Sequence, residues 1–398
     1  MFNLILLIVL SPYTAVLLGL CSTYNLYKSK EEINWNVWNI GLLSLFIWSF
    51  IVGLINKSIM STIVSFVFLF YFSIDVYIEN KWSTEKYIYK IAHYLLKFSI
   101  FSGILGIIEK FAFENYSMIL WRKVLGLPLT TSSAHRIFST FGNPNIAGDW
   151  FAIMIMIALF YEGRTSYKRD KIFYYFCVTL FLISLFLTGS RGAFVAMACG
   201  LSVLFMFKCS KHNRIIFLCI IIVVSIVGFM PSKVPNISED IVGHNINRSV
   251  SLREEIWRGA INMYHEKPIT GWGILGTVEQ GSNFIRYNGI VHHAHNIWIA
   301  FLTSLGLVGF FIYIFMRIKL YKNMIQIIST NSGNCIQLLI AIQAVIICHG
   351  IVDFTIIAPQ IGILFIGSGG MIFSLAKEAV MVKNNNKSLT YMDLENEA

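Results

Sequence analysis

Apolar runs of roughly 17–22 residues recur along the whole chain, each long enough to cross a ~30 Å hydrocarbon core. This feature constrains the fold most tightly. Lipid offers backbone N–H and C=O groups no partner, and an α-helix satisfies them within one segment. Candidate spans fall at roughly 3–21, 35–55, 58–78, 93–112, 146–162, 172–188, 193–208, 215–230, 296–316, 335–353 and 360–376. The expected fold is an all-α polytopic membrane protein with about 11 transmembrane helices, within about 10–12. Residues 1–398 form one membrane domain. Composition agrees: 56% of residues are hydrophobic and 13% charged, against about 45–50% and about 25% in soluble domains. Asn3 to Cys21 lacks a basic start and a small-residue cleavage pattern, so it reads as a retained span rather than a signal peptide. The seven cysteines avoid the long polar loop, which suggests neither a disulfide framework nor a thiolate metal site.

Lysine and arginine set the orientation. Lys28, Lys30, Lys81, Lys86, Lys90, Arg164, Lys168, Arg169, Lys171, Lys208, Lys211, Arg214, Arg317, Lys319, Lys322, Lys377, Lys383 and Lys387 fall on one side, which the positive-inside rule makes cytoplasmic. The net charge of +10 is therefore topological, and no nucleic-acid partner is implied. Three segments then face outward: about 113–145, the turn "TGSRGA" at 188–193, and a polar stretch at 231–294. A loop as long as the last is rarely kept without a use.

The outward segments carry the candidate chemistry. Arg191 sits between apolar runs, where an arginine snorkels, pairs or holds an anion. Gly189 and Gly192 beside it let a ligand approach the backbone. In the long loop, "SLREEIWRGAINMYHEKPITGWG" predicts an amphipathic helix along the membrane surface, with Ser251 as N-cap, Glu254 completing a capping box, and Lys267-Pro268 ending it. Arg253 and Trp257 share one face by i,i+4 spacing. Arg253 and Arg258 are each either an anion ligand or a solvated charge. "VHHAHNIWI" at 291–299 opens the ninth span from outside. Asn296 is a plausible N-cap, and the helix N-terminus suits an anion. His295 is read as a general base, a polar contact or an interfacial residue, since imidazole exchanges protons near neutral pH. A metal held by His292, His293 and His295 is the weaker alternative. "HRIFSTFGNPNIAGDW" at 135–150 adds Arg136 and a turn in which Asn145 either caps a helix or contacts sugar hydroxyls. His349 and Asp353, i,i+4 in the tenth span, are expected to bond to each other.

Arg136, Arg191, Arg253 and Arg258 could neutralise a diphosphate leaving group, because guanidinium binds phosphate bidentately and stays charged. The outer loops carry no Asp-x-Asp clamp, and "NKS" between the second and third spans leaves no room for one. No metal and no cofactor are expected. One histidine then suffices to activate an acceptor hydroxyl. The set fits transfer of a glycan from a polyprenyl diphosphate carrier. A lipid-linked glycan flippase or transporter is the alternative; it predicts mid-span charges and broken helices, and Asp75 and Asp353 are read as the only carboxylates near spans.

The pieces "RIFSTFGNPNIAG", "LTGSRGAFVAM", "SLREEIWRGAINMYHEKPITGWG" and "HAHNIWIAFLTSLGLVGFF", in that order, resemble the O-antigen ligase/polymerase superfamily of bacterial envelope glycan enzymes, over roughly 135–375. The resemblance implies a GT-C type fold and metal-independent, inverting transfer from an undecaprenyl diphosphate-linked glycan to a glycan, lipid or protein acceptor. It implies a multi-pass protein of the bacterial cytoplasmic membrane with its active site facing outward, serving lipopolysaccharide or capsule biosynthesis. On this resemblance His295 matches the proposed base, and Arg191 and Arg253 match the diphosphate ligands. Arg136 and Asn145 match less closely; Asn296, to which the resemblance gives no role, is expected from its place beside His295 to be an acceptor or sugar contact. The loop shows no docking surface for a core or protein acceptor, which inclines the reading toward a polymerase.

Overall fold

In the computed structural model the described residues are 2–29, 33–112, 120, 122–123, 136–207, 246–286, 291–329 and 335–396. The span expected at 215–230 lies outside them, as do the loop cations Lys30, Lys208, Lys211 and Arg214. The chain is a polytopic membrane protein, all-helical among the described residues. The helices are α1 (Phe2–Leu10), α2 (Pro12–Ser29), α3 (Val37–Ile55), α4 (Ile59–Val64), α5 (Phe66–Lys81), α6 (Glu85–Ala112), α7 (Pro144–Glu162), α8 (Lys168–Thr188), α9 (Arg191–Met206), α10 (Ile246–Glu266), α11 (Gly276–Gln280), α12 (Ile297–Ser329), α13 (Ile336–His349) and α14 (Pro359–Asn396). Among the described residues, seven helical stretches are long and apolar enough to cross a membrane, and α9 and α13 are shorter apolar helices.

Burial ranks the helices. In the apolar stretches of α14 and α7, 83% and 72% of residues are buried, against 39–44% in the other five. α7 and α14 are therefore the centre of the bundle. The rest turn side chains such as Ile47, Ile51, Phe176, Ile183, Phe311 and Phe315 outward, as a lipid-facing surface requires. Both central helices begin at the end of the bundle where His295 lies, so the site is anchored on the most deeply packed elements.

Several expectations are corrected. The first apolar run is not one span. Pro12 lacks an N–H and cannot continue a helix, so α1 ends at Leu10 and α2 begins at Pro12, with the Tyr13 amide donating to Ser11 Oγ at 3.2 Å. The amphipathic helix starts at Ile246 rather than after Ser251; "INRSV" holds no glycine or proline to stop it. Its end at Glu266, before Lys267-Pro268, is as expected. Arg317, Lys319 and Lys322 lie on α12, not in a loop. Arg317 is 2% exposed and donates to Gln343 Oε1 at 2.5 Å and Tyr321 Oη at 3.0 Å.

α12 is broken at Gly306, whose φ of 62° and ψ of −165° only glycine adopts readily. The segment 267–273 fills the break. The Leu307 amide donates to Pro268 O at 2.8 Å, while Thr303 O and Ser304 O accept from the amides of Trp272 and Gly273 at 2.9 and 2.8 Å. Leu305 O accepts from Trp48 Nε1 at 2.8 Å. A Cβ on Gly306 would lie 2.1 Å from Ile269 O. Gly306→Ala is expected to cost at least about 1–3 kcal/mol, the usual strain at such a backbone, and to lower the thermal midpoint in detergent; an unchanged midpoint would show that the break relaxes.

Candidate active site

The site is built where helix ends meet. α8 ends at Thr188, and Gly189 at φ 62° turns the chain sharply into α9, which opens on Arg191. Asn143 caps α7 through the Asn145 amide at 2.8 Å, with Pro144 in the first turn. Asn296 caps α12, accepting from the Trp298 and Ile299 amides at 2.9 and 3.0 Å. Its Nδ2 donates to Ile351 O at 2.8 Å. Asn296 is thus a structural cap, and nothing in its bonding directs it toward a ligand. His295, just before it, takes a left-handed φ of 47°. That turn aims its ring back toward the loop after α13.

Asp353 is the hub. Its Oδ1 lies 2.9 Å from His295 Nδ1 and accepts the Phe354 amide at 2.8 Å. Its Oδ2 accepts from Asn145 Nδ2 at 2.5 Å. Asn145 Oδ1 in turn accepts from Arg136 Nη2 at 2.8 Å, and Arg136 Nε donates to Thr188 O at 2.6 Å. Arg253 Nε donates to Val352 O at 2.9 Å, which brings α10 onto the same loop. Its guanidinium is close enough to Arg136 and Arg191 to repel both. Trp257 Nε1 donates to His295 O at 3.3 Å. Arg136, Asn145, Arg191, Arg253, His295 and Asp353 therefore meet at one end of the bundle.

Arg258 does not join them. It lies five residues past Arg253, about 140° further round the helix at ~100° per residue. It is exposed and pairs with Glu254 at 2.5 Å. This corrects its expected role as a diphosphate ligand; the helical phase, readable from sequence, is the signal against it.

The expected His349–Asp353 pair is also corrected. α13 stops at His349, and the chain leaves the helix through Gly350. His349 Nδ1 instead faces Asp149 Oδ1 at 3.4 Å, and Asp149 Oδ2 accepts from Thr355 Oγ1 at 2.6 Å. Asp149 is fully buried within α7, and Glu79 and Glu109 are likewise buried in helices. Asp75 and Asp353 are thus not the only span carboxylates. An acid inside the apolar "GDWFAIMIMIALF" is the sequence signal that points to Asp149.

Electrostatics follow from this packing. Burial alone would raise the Asp353 carboxyl. The His295 hydrogen bond and the imidazoles of His295, His293 and His349 outweigh it and hold the group well below the usual carboxylate range. Burial, then the neighbouring His295, His292 and Arg253, push His293 down to about 4, against the pull of Asp353. It is neutral at physiological pH. Burial, then Arg253 and Arg191, push Arg136 down to about 10, with Asp353 opposing; Arg136 stays charged.

His293, His295 and Asp353 place three possible ligand atoms within 4.8 Å. Several atoms there are already engaged: His293 Nδ1 accepts the His295 amide at 3.2 Å, and Asp353 serves His295, Asn145 and the Phe354 amide. A cation there would have to break those bonds beside three guanidiniums.

No curated protein matches the chain. Residues 176–314 match the family model described as O-Antigen ligase, a stretch that includes Arg191, Arg253, His293 and His295 and stops short of Asp353. Over that stretch the chain is similar to the O-antigen ligase family, the same family its sequence motifs resemble.

Proposed function

We propose that the chain is a metal-independent, inverting glycosyltransferase of GT-C type that moves a glycan from undecaprenyl diphosphate to a sugar hydroxyl at the outer face of the cytoplasmic membrane. The observation that carries this reading is the 2.9 Å contact between His295 Nδ1 and Asp353, set among Arg136, Arg191 and Arg253. A carboxylate at Nδ1 keeps the proton on that nitrogen and leaves Nε2 as the base. Nε2 takes the acceptor hydroxyl proton as that oxygen bonds to the anomeric carbon. The bond from that carbon to the diphosphate oxygen breaks, and its electron pair leaves with the diphosphate. Arg191 and Arg253, with Arg136 behind them, stabilise the charge that develops there. Fixed charges and dipoles aimed at developing charge usually supply most of an enzyme's rate acceleration.

The flippase alternative asks for broken helices that bind a substrate. The break at Gly306 is filled by residues 267–273, so its freed carbonyls are already capped.

Purified protein given a lipid-linked repeat unit is expected to build a ladder of products, the polymerase outcome; a single addition to a foreign acceptor indicates a ligase, and no transfer to any acceptor rejects the proposal. Arg191→Ala and Arg253→Ala are each expected to weaken donor binding about 10–100-fold, the value of a charged hydrogen bond of about 1.5–3 kcal/mol. Undiminished affinity for undecaprenyl diphosphate in both variants counts against the diphosphate assignment.

A further inference from the structure

Helix α10 has a second polar face that the arginine–imidazole pocket does not use. Ser251, Glu254, Glu255, Arg258 and Asn262 lie roughly 100–200° around the helix from Arg253 at ~100° per residue. With Gly259, Phe284 and Arg286 they line an open groove of about 410 Å³. Gly259 brings the facing wall close, since a Cβ there would sit 2.4 Å from Ile285 Cγ1 and 2.8 Å from Phe284 O. Trp272 braces the Phe284 ring edge-on at 5.6 Å between centroids. The wall is therefore fixed rather than a loose flap.

The chemistry of the lining selects the ligand. Two carboxylates, Glu254 and Glu255, balance two guanidiniums, Arg258 and Arg286, and Glu254 already neutralises Arg258. A diphosphate would meet the carboxylates, a divalent cation would meet the guanidiniums, and a lipid tail would strip water from all four. A neutral ligand rich in hydroxyls suits them, because each hydroxyl both donates and accepts. The side chains of Glu255, Asn262 and Arg286 make no hydrogen bond or ion pair with another described residue, so planar carboxylate, amide and guanidinium groups stand available beside an aromatic ring.

The geometry points to a saccharide subsite on this outer face of α10, one that takes a neutral oligosaccharide of hexose or N-acetylhexosamine. It rests on the glycosyl-transfer reading and deepens it. The subsite lies a helix width, ~10 Å, from the catalytic pocket, so it grips internal sugars of a chain that passes around α10 rather than the reacting end. It gives the protein a hold on the acceptor or product that is independent of the diphosphate.

The test uses the full chain in nanodiscs and free neutral oligosaccharides of hexose and N-acetylhexosamine, followed by saturation-transfer NMR. The wild type is expected to give saccharide signals. Asn262→Ala combined with Arg286→Ala is expected to weaken binding roughly 10–30-fold, two hydrogen bonds' worth, with undecaprenyl diphosphate affinity unchanged. Absent signals in the wild type, or full signals in the double variant, overturn the subsite. If the double variant loses diphosphate binding as well, Glu255→Gln decides: weakened saccharide signals support the subsite and unchanged signals overturn it. The probe carries no diphosphate and no bond is made, so failure of glycan transfer and failure of this subsite are read separately.

Discussion

Replacing His295 with alanine is expected to lower glycan transfer by about 10²–10⁴-fold, the usual contribution of a positioned base, with donor binding retained. The side chain is 28% exposed, and its contacts are with Asp353 and the His293 ring rather than with the apolar core. The turn that presents it is held by backbone and neighbouring groups: the Ile297 amide donates to Gly350 O at 2.7 Å, Asn296 caps α12, and Trp257 bonds the His295 carbonyl rather than the ring. The chain should therefore fold without the imidazole. The measurement is incorporation of labelled repeat units into product, alongside donor affinity. Glycan of normal length and amount in the variant would mean that another group takes the hydroxyl proton.

Asp353→Asn is expected to lose as much transfer and also to lose stability. The carboxylate is 4% exposed and accepts from His295, Asn145 and the Phe354 amide at once. An amide offers one acceptor oxygen in place of two. Either Asn145 meets an N–H, or His295 Nδ1 does. In the second case the imidazole proton moves to Nε2, and the base is lost; an analogous carboxylate-to-amide change in a hydrolase triad costs about 10⁴-fold. The partly buried Arg136 also loses the negative charge beside it, and breaking a buried charge arrangement costs up to about 3–5 kcal/mol. Thermal unfolding reads the second effect and transfer rate the first. Combining Asp353→Asn with His295→Ala should add little further loss of rate, because residues acting as one unit are not additive. Fully additive losses would separate the two residues and end the dyad assignment.

Most of the described spans are legible in the sequence, because the bilayer imposes a length and a polarity on each one, but the first run is not, since Pro12 divides it. The amphipathic helix is legible because its period is local, although its first turn is not, since no residue between Ile246 and Ser251 marks a boundary. Arg191 stands out as a charge between apolar runs, and His295 as an imidazole at a helix start. Arg258 misleads when its charge is weighed without its helical phase. Asp353 misleads because i,i+4 spacing predicts contact only while the helix continues, and α13 ends four residues earlier.

By itself, the sequence determined that the chain is helical and crosses a membrane several times, and that its chemistry-bearing residues cluster in a few segments. These properties depend on hydropathy and on spacing over a few turns. Only the tertiary structure decided that Asn145, His295 and Asp353 share one hydrogen-bonded network, that Asp149 rather than Asp353 faces His349, and that Gly306 breaks α12 to admit residues 267–273. Each of these joins positions tens to hundreds of residues apart, and such contacts depend on how helices pack against one another, which no local period encodes.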